Sequence, residues 1–281
     1  MRPAGAGRSR VIVDQMGDIR VELDEGVLVL TVDRPAARNA LAPATMAELD
    51  GLLVALAARE DVRCAVITGA GERAFIAGGD LRELETERGE AFATGMARAM
   101  RATLDRIPDL PVPVIAAING VAVGGGAEVA IACDFRIAAE DARIGFTQAL
   151  LGLMPAWGGS ERLGAVAGRG RALYLLTTGR VLSGAEAEAW GVVEEAVPRP
   201  EFDGRWRAVA RQVARAPRDV LAGMKAALQR AHPGSRPDLA EPAIADFARA
   251  WASPVHWRMA GDLERQRREA KRRVRDGEVT T

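Results

Sequence analysis

The amino-acid sequence predicts an α/β core up to about residue 195, followed by a helical region. Two short apolar runs, at residues 64–68 and 112–118, are typical of buried strands, and segments with helical spacing of apolar residues alternate with them. Strand patterns vanish from about residue 196, where helical segments interrupted by prolines begin. A chain of 281 residues with 48% hydrophobic and 27% charged residues can bury a sizeable core, which excludes disorder as the main state.

The first half of the predicted core begins with a hairpin. Residues 18–33 alternate apolar and polar side chains around an Asp-Glu-Gly turn, which is typical of two antiparallel strands. The loop RPAARNALAP follows, and then apolar residues at helical spacing predict a helix over residues 44–59. The run CAVIT at residues 64–68 is a strand, and residues 89–107 are a helix.

The second half continues with a strand at residues 112–118 and a turn. Three glycines at residues 124–126 then open an apolar helix, and the run FRIAA at residues 135–139 is a further strand. Residues 160–176 are a helix. Residues 183–191 are another, with serine at the N-cap, glutamate three residues later and glycine at the end.

These elements divide the chain into three parts. We expect a disordered or extended tail over residues 1–17, the core over residues 18–195 and the helical region over residues 196–281. Cys64 and Cys133 both lie in apolar runs, which favours free core thiols and a cytoplasmic, reducing location. The N-terminus lacks the apolar stretch of a secretory signal, and no apolar run is long enough to cross a membrane.

Composition and motifs exclude several classes of function. Lys and Arg total 38, as do Asp and Glu, so net charge does not favour a nucleic-acid or membrane partner. The histidines, His232 and His256, lie late in the chain and predict neither a catalytic triad nor a metal site. The pattern G-x-G-x-x-A at residues 69–74 resembles a dinucleotide fingerprint, but further glycines follow it instead of an amphipathic helix.

Two glycine-bearing segments are better candidates for chemistry. They are FIAGGDL at residues 75–81 and NGVAVGGGAE at residues 119–128. Small residues let a ligand approach backbone N–H groups, and two converging donors make an oxyanion hole. Ordinary turn glycines are an equal alternative from composition alone. Glu128 lies one turn into the helix between apolar neighbours, which predicts a buried carboxylate for acid/base work.

The segments FIAGGDL, PVIAAINGVAVGGGAEVAIACDFRIA and LGLMPAWGGSERL resemble, in order and spacing, signature segments of the crotonase superfamily, or enoyl-CoA hydratase/isomerase family. The resemblance implies a crotonase-like spiral of ββα units and a homotrimer or dimer of trimers. It also implies a helical C-terminal region that serves trimerisation and covers the active site. The implied substrate is an acyl-CoA thioester in fatty acid metabolism, with no cofactor beyond the coenzyme A of the substrate.

The same resemblance assigns roles to individual residues. The backbone N–H groups of Ala77 and Gly125 would hold the enolate oxyanion, and Glu128 would transfer the proton. The residues expected to bind the acyl group are Ala77, Gly78, Gly79, Asp80, Gly124 and Trp157. Trp157 stands where many relatives of the family carry a small residue, so it would narrow or cap the pocket, with ordinary packing as an equal alternative. The residues implied to contact coenzyme A are Arg34, Arg38 and Ala40. Asp80 is better explained as a turn or helix-cap residue than as a catalyst.

The sequence departs from the family pattern at one catalytic position. Typical hydratases of the family carry a second glutamate 20 residues after the first, where this chain has Gln148. Glutamine is no general acid or base at neutral pH, so Gln148 would orient water or substrate. Efficient hydration with two carboxylates is therefore in doubt, and double-bond isomerisation with Glu128 as the single base stays open.

Two alternatives stay open at this point. GGGAE, ACDFR and PAWGG resemble the ethylmalonyl-CoA decarboxylase branch, and loss of CO₂ from a malonyl-type thioester yields the same enolate. The second alternative is a non-catalytic CoA-ester-binding or RNA-associated protein. The Arg-rich stretch at residues 263–275 is the feature that suggests RNA, but nearby acidic residues dilute its charge.

Overall fold

Two sheets of unequal size form the α/β part of the molecule. The structure is a computed structural model that describes residues 11–14, 17–231 and 237–275. The larger sheet has seven strands, in the order β1 (Val11–Asp14), β2 (Ile19–Asp24), β3 (Val27–Val32), β4 (Cys64–Gly69), β6 (Val114–Ile118), β8 (Phe135–Ala139) and β11 (Glu195–Val197). The smaller sheet has four, in the order β10 (Leu182–Ser183), β9 (Arg143–Gly145), β7 (Val121–Val123) and β5 (Ala74–Ile76).

The chain visits both sheets in turn. The pairs β4–β5, β6–β7 and β8–β9 each give their first strand to the larger sheet and their second to the smaller one, and these strands pair in parallel within each sheet. Helices follow each pair, namely α2 (Leu81–Leu84) and α3 (Glu90–Asp105), then α4 (Gly125–Ala132), then α5 (Gly159–Ala167) and α6 (Arg169–Thr178). This repetition confirms the predicted spiral of ββα units.

Six further helices lie in the described part of the chain. They are α1 (Pro43–Ala57), α7 (Gly184–Ala189), α8 (Arg199–Val213), α9 (Arg218–Ala231), α10 (Pro237–Ala252) and α11 (Pro254–Arg275). Helix α10 packs on α3, and α11 packs on a 3-10 turn at Thr147–Leu151. The buried His256 of α11 meets that turn, with Nδ1 2.7 Å from the Leu151 carbonyl oxygen. His232 and most of the predicted tail at residues 1–17 lie outside the described residues.

Several local predictions are confirmed. The hairpin is β2–β3, and its turn residues Glu25 and Gly26 both have positive φ. At the start of α7, Ser183 Oγ accepts from the Glu186 N–H at 3.1 Å while the Glu186 carboxylate accepts from the Ser183 N–H at 2.8 Å. Both cysteines are free and buried. No helix within the described ranges is long and apolar enough to span a membrane.

Several features differ from the sequence-based expectation. Strand β1 falls within the predicted tail but pairs with β2 in the larger sheet. The helix predicted over residues 160–176 is two helices, because Gly168 adopts a φ of +80° and ends α5 before α6 begins. The smaller sheet was not predicted, since its strands contain only two or three residues and show no pattern. This sheet is nevertheless the element that assembles the candidate site.

Candidate functional site

Three neighbouring strands of the smaller sheet deliver the candidate residues to one edge. Strand β5 leads into Ala77, β7 leads into the three glycines and Glu128, and β9 leads into the turn that carries Gln148. Because β5, β7 and β9 are parallel neighbours, their carboxyl ends lie side by side. The two glycine-bearing segments and Gln148 therefore converge, in agreement with the family resemblance of the sequence.

Close backbone approach explains the three glycines. A Cβ on Gly126 would overlap the Ile76 carbonyl oxygen and lie 2.6 Å from its carbonyl carbon. A Cβ on Gly125 would lie 2.6 Å from Cη2 of the Trp157 ring, and Gly124 has a φ of +58°, which side chains rarely adopt. Gly78 follows with a φ of +96° and lies close to the Gly125 nitrogen. The glycines thus press the first turn of α4 against the end of β5.

The structure contradicts one of the two predicted oxyanion donors, Ala77, because its N–H is already bonded. Gly125 is the first residue of α4, so its N–H has no partner within the helix. The Ala77 N–H, in contrast, already donates to the Arg38 carbonyl oxygen at 3.2 Å. Two residues later, Gly79 lies beside Leu41 in a parallel bridge. The Leu41 N–H donates to the Gly78 carbonyl at 2.8 Å, and the Leu41 carbonyl accepts from the Asp80 N–H at 2.9 Å, so both bonds pass on either side of Gly79. In the part of the chain that is described, the Gly79 N–H has no acceptor.

Glu128 lies inside the site with both carboxylate oxygens engaged. The residue is 3% exposed. Its Oε1 accepts from the backbone N–H groups of Trp157 and Gly159, at 2.8 and 3.0 Å, and its Oε2 accepts from Nε2 of Gln148 at 3.0 Å. Burial raises the pKa of Glu128 to about 7, although these donors and the charge of Arg162 oppose the rise. A carboxyl with this pKa can both take and give a proton near neutral pH.

Gln148 faces Glu128 directly and is itself buried. Because its Nε2 donates to Glu128, its Oε1 is left as an acceptor, and this buried oxygen has no partner within the described structure. An amide supports either state of its neighbour, since it can donate to a carboxylate or, after rotation, accept from a carboxylic acid. The pair is therefore one titratable group with a neutral partner.

Trp157 is the other large side chain at the site. It is buried, and its ring covers Gly125 at the start of α4. The backbone of the same residue holds Glu128 through its N–H, while its carbonyl accepts from Arg162 Nη1 at 2.6 Å. The sequence indicated the Trp157 side chain, but it gave no signal for the backbone roles of Trp157 and Gly159 or for Arg162.

The predicted coenzyme A contacts divide into two groups. Arg34 is already engaged, with Nη1 3.1 Å from Asp80, Nη2 2.7 Å from Glu83 and Nε 3.2 Å from Asp18. Its guanidinium also donates to the Ala40 carbonyl, and Ala40 is buried. Arg34 thus holds the loop together through carboxylates and the Ala40 carbonyl, and the coenzyme A contacts of Arg34 and Ala40 stay predictions. Arg38, in contrast, is exposed at a φ of +54°.

Asp80 has the structural role that its position suggested. Its Oδ1 accepts from the Arg82 N–H at 3.3 Å and caps α2, while its Oδ2 pairs with Arg34. Asp80 therefore fixes the loop that presents Gly79 and is not oriented as a catalytic acid. The capping prediction is confirmed.

Comparisons with known proteins agree with this geometry. The family model described as enoyl-CoA hydratase/isomerase matches residues 22–242. A short-chain-enoyl-CoA hydratase of Clostridium acetobutylicum is 35% identical over 202 residues, which cover 71% of this chain and 76% of that protein. A crystal structure of an enoyl-CoA hydratase from Bacillus anthracis superposes with a TM-score of 0.74 at 35% identity, covering 81% of this chain and 89% of that one. An enoyl-CoA hydratase structure from Mycobacterium avium subsp. paratuberculosis gives a TM-score of 0.80 at 27% identity, covering 89% and 100%.

Proposed function

The chain belongs to the enoyl-CoA hydratase/isomerase family, and we propose that it shifts the double bond of an enoyl-CoA thioester with Glu128 as the single acid/base group. The observation that carries this proposal is the Glu128–Gln148 pair, in which a buried carboxyl of pKa about 7 faces a neutral amide. One carboxylate is sufficient for isomerisation, because the same group removes and returns the proton. Hydration has the further demand of activating water.

Two backbone donors stabilise the intermediate in this proposal. The N–H of Gly125 and the N–H of Gly79 take the thioester oxygen, with Gly79 replacing Ala77 because the Ala77 N–H is bonded to Arg38. Deprotonation next to a thioester places negative charge on that oxygen. Each preorganised donor of this kind is worth on the order of 10²–10³ in rate.

The proton follows a short path. Glu128, as a carboxylate, takes a proton from C2 of a 3-enoyl thioester, and the electron pair moves into the thioester carbonyl to give a dienolate. Glu128, now neutral, returns the proton to C4, and the double bond is left between C2 and C3. The neutral Gln148 stays hydrogen-bonded to Glu128 in both states, by donating and then by accepting.

A direct assay tests the proposal. Purified protein is incubated separately with 3-hexenoyl-CoA, crotonyl-CoA and ethylmalonyl-CoA, and the products are identified by mass and by the absorbance of the conjugated thioester. We expect 3-hexenoyl-CoA to become 2-hexenoyl-CoA without a change of mass. Addition of water to crotonyl-CoA at a higher rate than isomerisation would instead identify a hydratase.

Decarboxylation is the second candidate, because Gln148 would not repel a substrate carboxylate as a second glutamate would. A malonyl-type thioester nevertheless brings its carboxylate next to Cα, where it meets Glu128 itself. Burial already raises the pKa of Glu128, so such a substrate is compatible only with the protonated form. Loss of CO₂ from ethylmalonyl-CoA that accelerates as pH falls below 7 would support this candidate.

Replacing Gln148 by glutamate restores the second carboxylate of typical hydratases. We expect Gln148→Glu to raise the hydration of crotonyl-CoA at least ~10-fold, since a second acid/base group commonly contributes 10² or more. The variant should also lose stability as pH rises, because Gln148 Nε2 lies 3.0 Å from Glu128 Oε2 and two carboxylates in these positions cannot both ionise freely. Gln148→Met is the matched control without acid or amide. An unchanged hydration rate would mean that the pocket, and not the missing carboxylate, prevents hydration.

Trp157 is expected to set the acyl length, because its ring covers the glycine whose N–H meets the thioester oxygen. In Trp157→Ala, the ratio of kcat/KM for an eight-carbon over a four-carbon substrate should rise ~10-fold or more, since each accommodated methylene adds about 1 kcal/mol or more of discrimination. Trp157→Phe is the conservative control and should shift the ratio less. A ratio that stays at its original value in a folded Trp157→Ala protein would place the acyl chain elsewhere.

The remaining assignments are proposals of the same kind. Arg38 is the proposed contact for the phosphates of coenzyme A, and it is supported by its exposure beside the site. We propose a homotrimer or a dimer of trimers, supported by exposed apolar side chains such as Met224 and Leu228; light scattering would give three or six times 29.8 kDa.

Neither a metal nor a redox cofactor enters this proton chemistry. The Arg-rich helix carries its own acidic partners, as in the Arg268–Glu264 pair, which favours a small-molecule substrate over RNA.

A further inference from the structure

A charged cluster with two buried guanidinium groups lies behind the loop that holds Glu128. Arg101 on α3 and Arg162 on α5 are 3% and 5% exposed. Arg101 binds both oxygens of Glu161 at 3.0 and 2.7 Å and reaches Asp105 at 2.8 Å, while Arg162 Nη2 binds the other oxygen of Asp105. Two guanidinium groups and two carboxylates thus form a balanced network, and the proton path described above uses none of them.

Arg162 connects this network to the site. Its Nη1 donates to the Trp157 carbonyl oxygen at 2.6 Å. On the other side of the same loop, the N–H groups of Trp157 and Gly159 hold Glu128 Oε1. The loop also contains Gly158 at a φ of +89°. The position of the carboxylate therefore depends on a loop that Arg162 fixes from behind.

The charges around Glu128 can be accounted for element by element. Strands β5, β6 and β7, which pack against α4, have no ionisable side chain, and neither has the 3-10 turn of Gln148. Strand β8 contributes Arg136, which is paired with Glu194. Helices α3 and α5 contribute the four residues of the cluster. The Arg162 charge lowers the Glu128 pKa and so opposes the effect of burial.

We propose that Arg162 is a positioning residue for the reaction, holding the loop at Trp157 so that the Glu128 carboxylate and the Trp157 ring stay in register with the oxyanion donors. The proposal rests on the acid/base role of Glu128 proposed above. A displacement of about 1 Å in a catalytic group can cost ~10² in rate, so the loss of one loop anchor is expected to be visible in kcat. KM should change less than kcat, because the donors Gly79 and Gly125 lie outside this loop and only the Trp157 ring belongs to it.

Two substitutions separate anchoring from charge. Arg162→Met removes both, and we expect kcat to fall ~10- to 100-fold with KM within about threefold, while the acidic limb of the kcat–pH profile moves to higher pH. Arg162→Lys keeps the charge but not the planar fork that reaches Asp105 and Trp157 together. Arg162→Lys should have a lower kcat than the parent, but the acidic limb of its kcat–pH profile should stay near its original pH. If Arg162→Met does not fold, the lysine variant alone still tests the anchor.

A readout independent of turnover accompanies the kinetics. The Glu128 carboxyl is titrated by ¹³C NMR in the free protein and assigned with Glu128→Gln, so a shift in its pKa is measurable even if no tested thioester reacts. Arg136→Met is the control, because Arg136 is equally buried but makes no bond to the loop at Trp157. Unchanged kcat in the folded Arg162 variants overturns the proposal. The proposal is also overturned if the Arg162 variants lose no more kcat than Arg136→Met and the pKa of Glu128 is the same as in the parent.

Discussion

Glu128→Gln is expected to lower kcat for the proposed double-bond shift by ~10²–10⁴, because the substitution removes the group proposed to carry the proton. The amide has nearly the same shape as the carboxyl. Its oxygen can still accept from the N–H groups of Trp157 and Gly159, and Gln148 can rotate to accept from the new NH₂ group. The loss should therefore appear in kcat, with KM little changed.

The same substitution should stabilise the protein at alkaline pH. The folded-state pKa of Glu128, about 7, lies above its ordinary value of 4.5. Between these two pH values Glu128 is protonated in the folded protein but ionised in the unfolded chain. The stability that is present at acid pH is therefore lost as pH rises through 7. At about 1.4 kcal/mol per pKa unit, this loss is on the order of 3 kcal/mol, and glutamine does not suffer it.

Kinetics and melting curves of the two proteins at pH 5 and pH 8 test both statements. The expected combination is an inactive variant whose Tm exceeds that of the parent at pH 8 and approaches it at pH 5. Glu128→Asp is the matched control that keeps an acid but withdraws it from the loop. A Glu128→Gln variant with parental turnover would remove Glu128 from the proton path.

Sequence patterns predict the parts of this fold whose signal is local. The hairpin β2–β3 and strand β4 are long enough for alternation or burial to show, and the helix that opens at Gly125 follows directly from its glycines. Strands β5, β7 and β9 contain three residues each, which is too short for a period of two to be recognised. Their pairing depends on the larger sheet, so tertiary structure decides it.

In the candidate site, too, some features are predicted from the sequence and others are decided only by the tertiary structure. The family resemblance assigned Glu128 and Gln148 to the two catalytic positions, and their side chains lie in direct contact. Which N–H groups are free could not be read from residue types, because the Ala77 amide is occupied by a carbonyl from a distant loop. The cluster of Arg101 and Glu161 joins residues 60 positions apart, and no sequence pattern pairs charges at such separations.

Gly126→Ala is expected to have a comparably large effect through backbone geometry alone. The added Cβ would overlap the carbonyl oxygen of Ile76, and a backbone atom cannot move aside as a flexible side chain can. Overpacking of this kind commonly costs 1–3 kcal/mol. To relieve it, α4 and the end of β5 must separate, which moves the Gly125 N–H away from the segment that carries Gly79. We expect kcat to fall ~10² or more, the effect of losing one oxyanion donor.

The matched control is Gly95→Ala, since Gly95 lies within α3 and a Cβ there meets nothing within 4 Å. Alanine is the better helix former, so this variant should keep its turnover and melt at the same or a higher temperature. Both variants are compared by Tm and by turnover, with the chemical step measured in single-turnover experiments. If Gly126→Ala lowers Tm but leaves the chemical step unchanged, the contact between α4 and β5 serves stability only. If the chemical step falls in a protein that remains folded, that contact sets the spacing of the oxyanion donors.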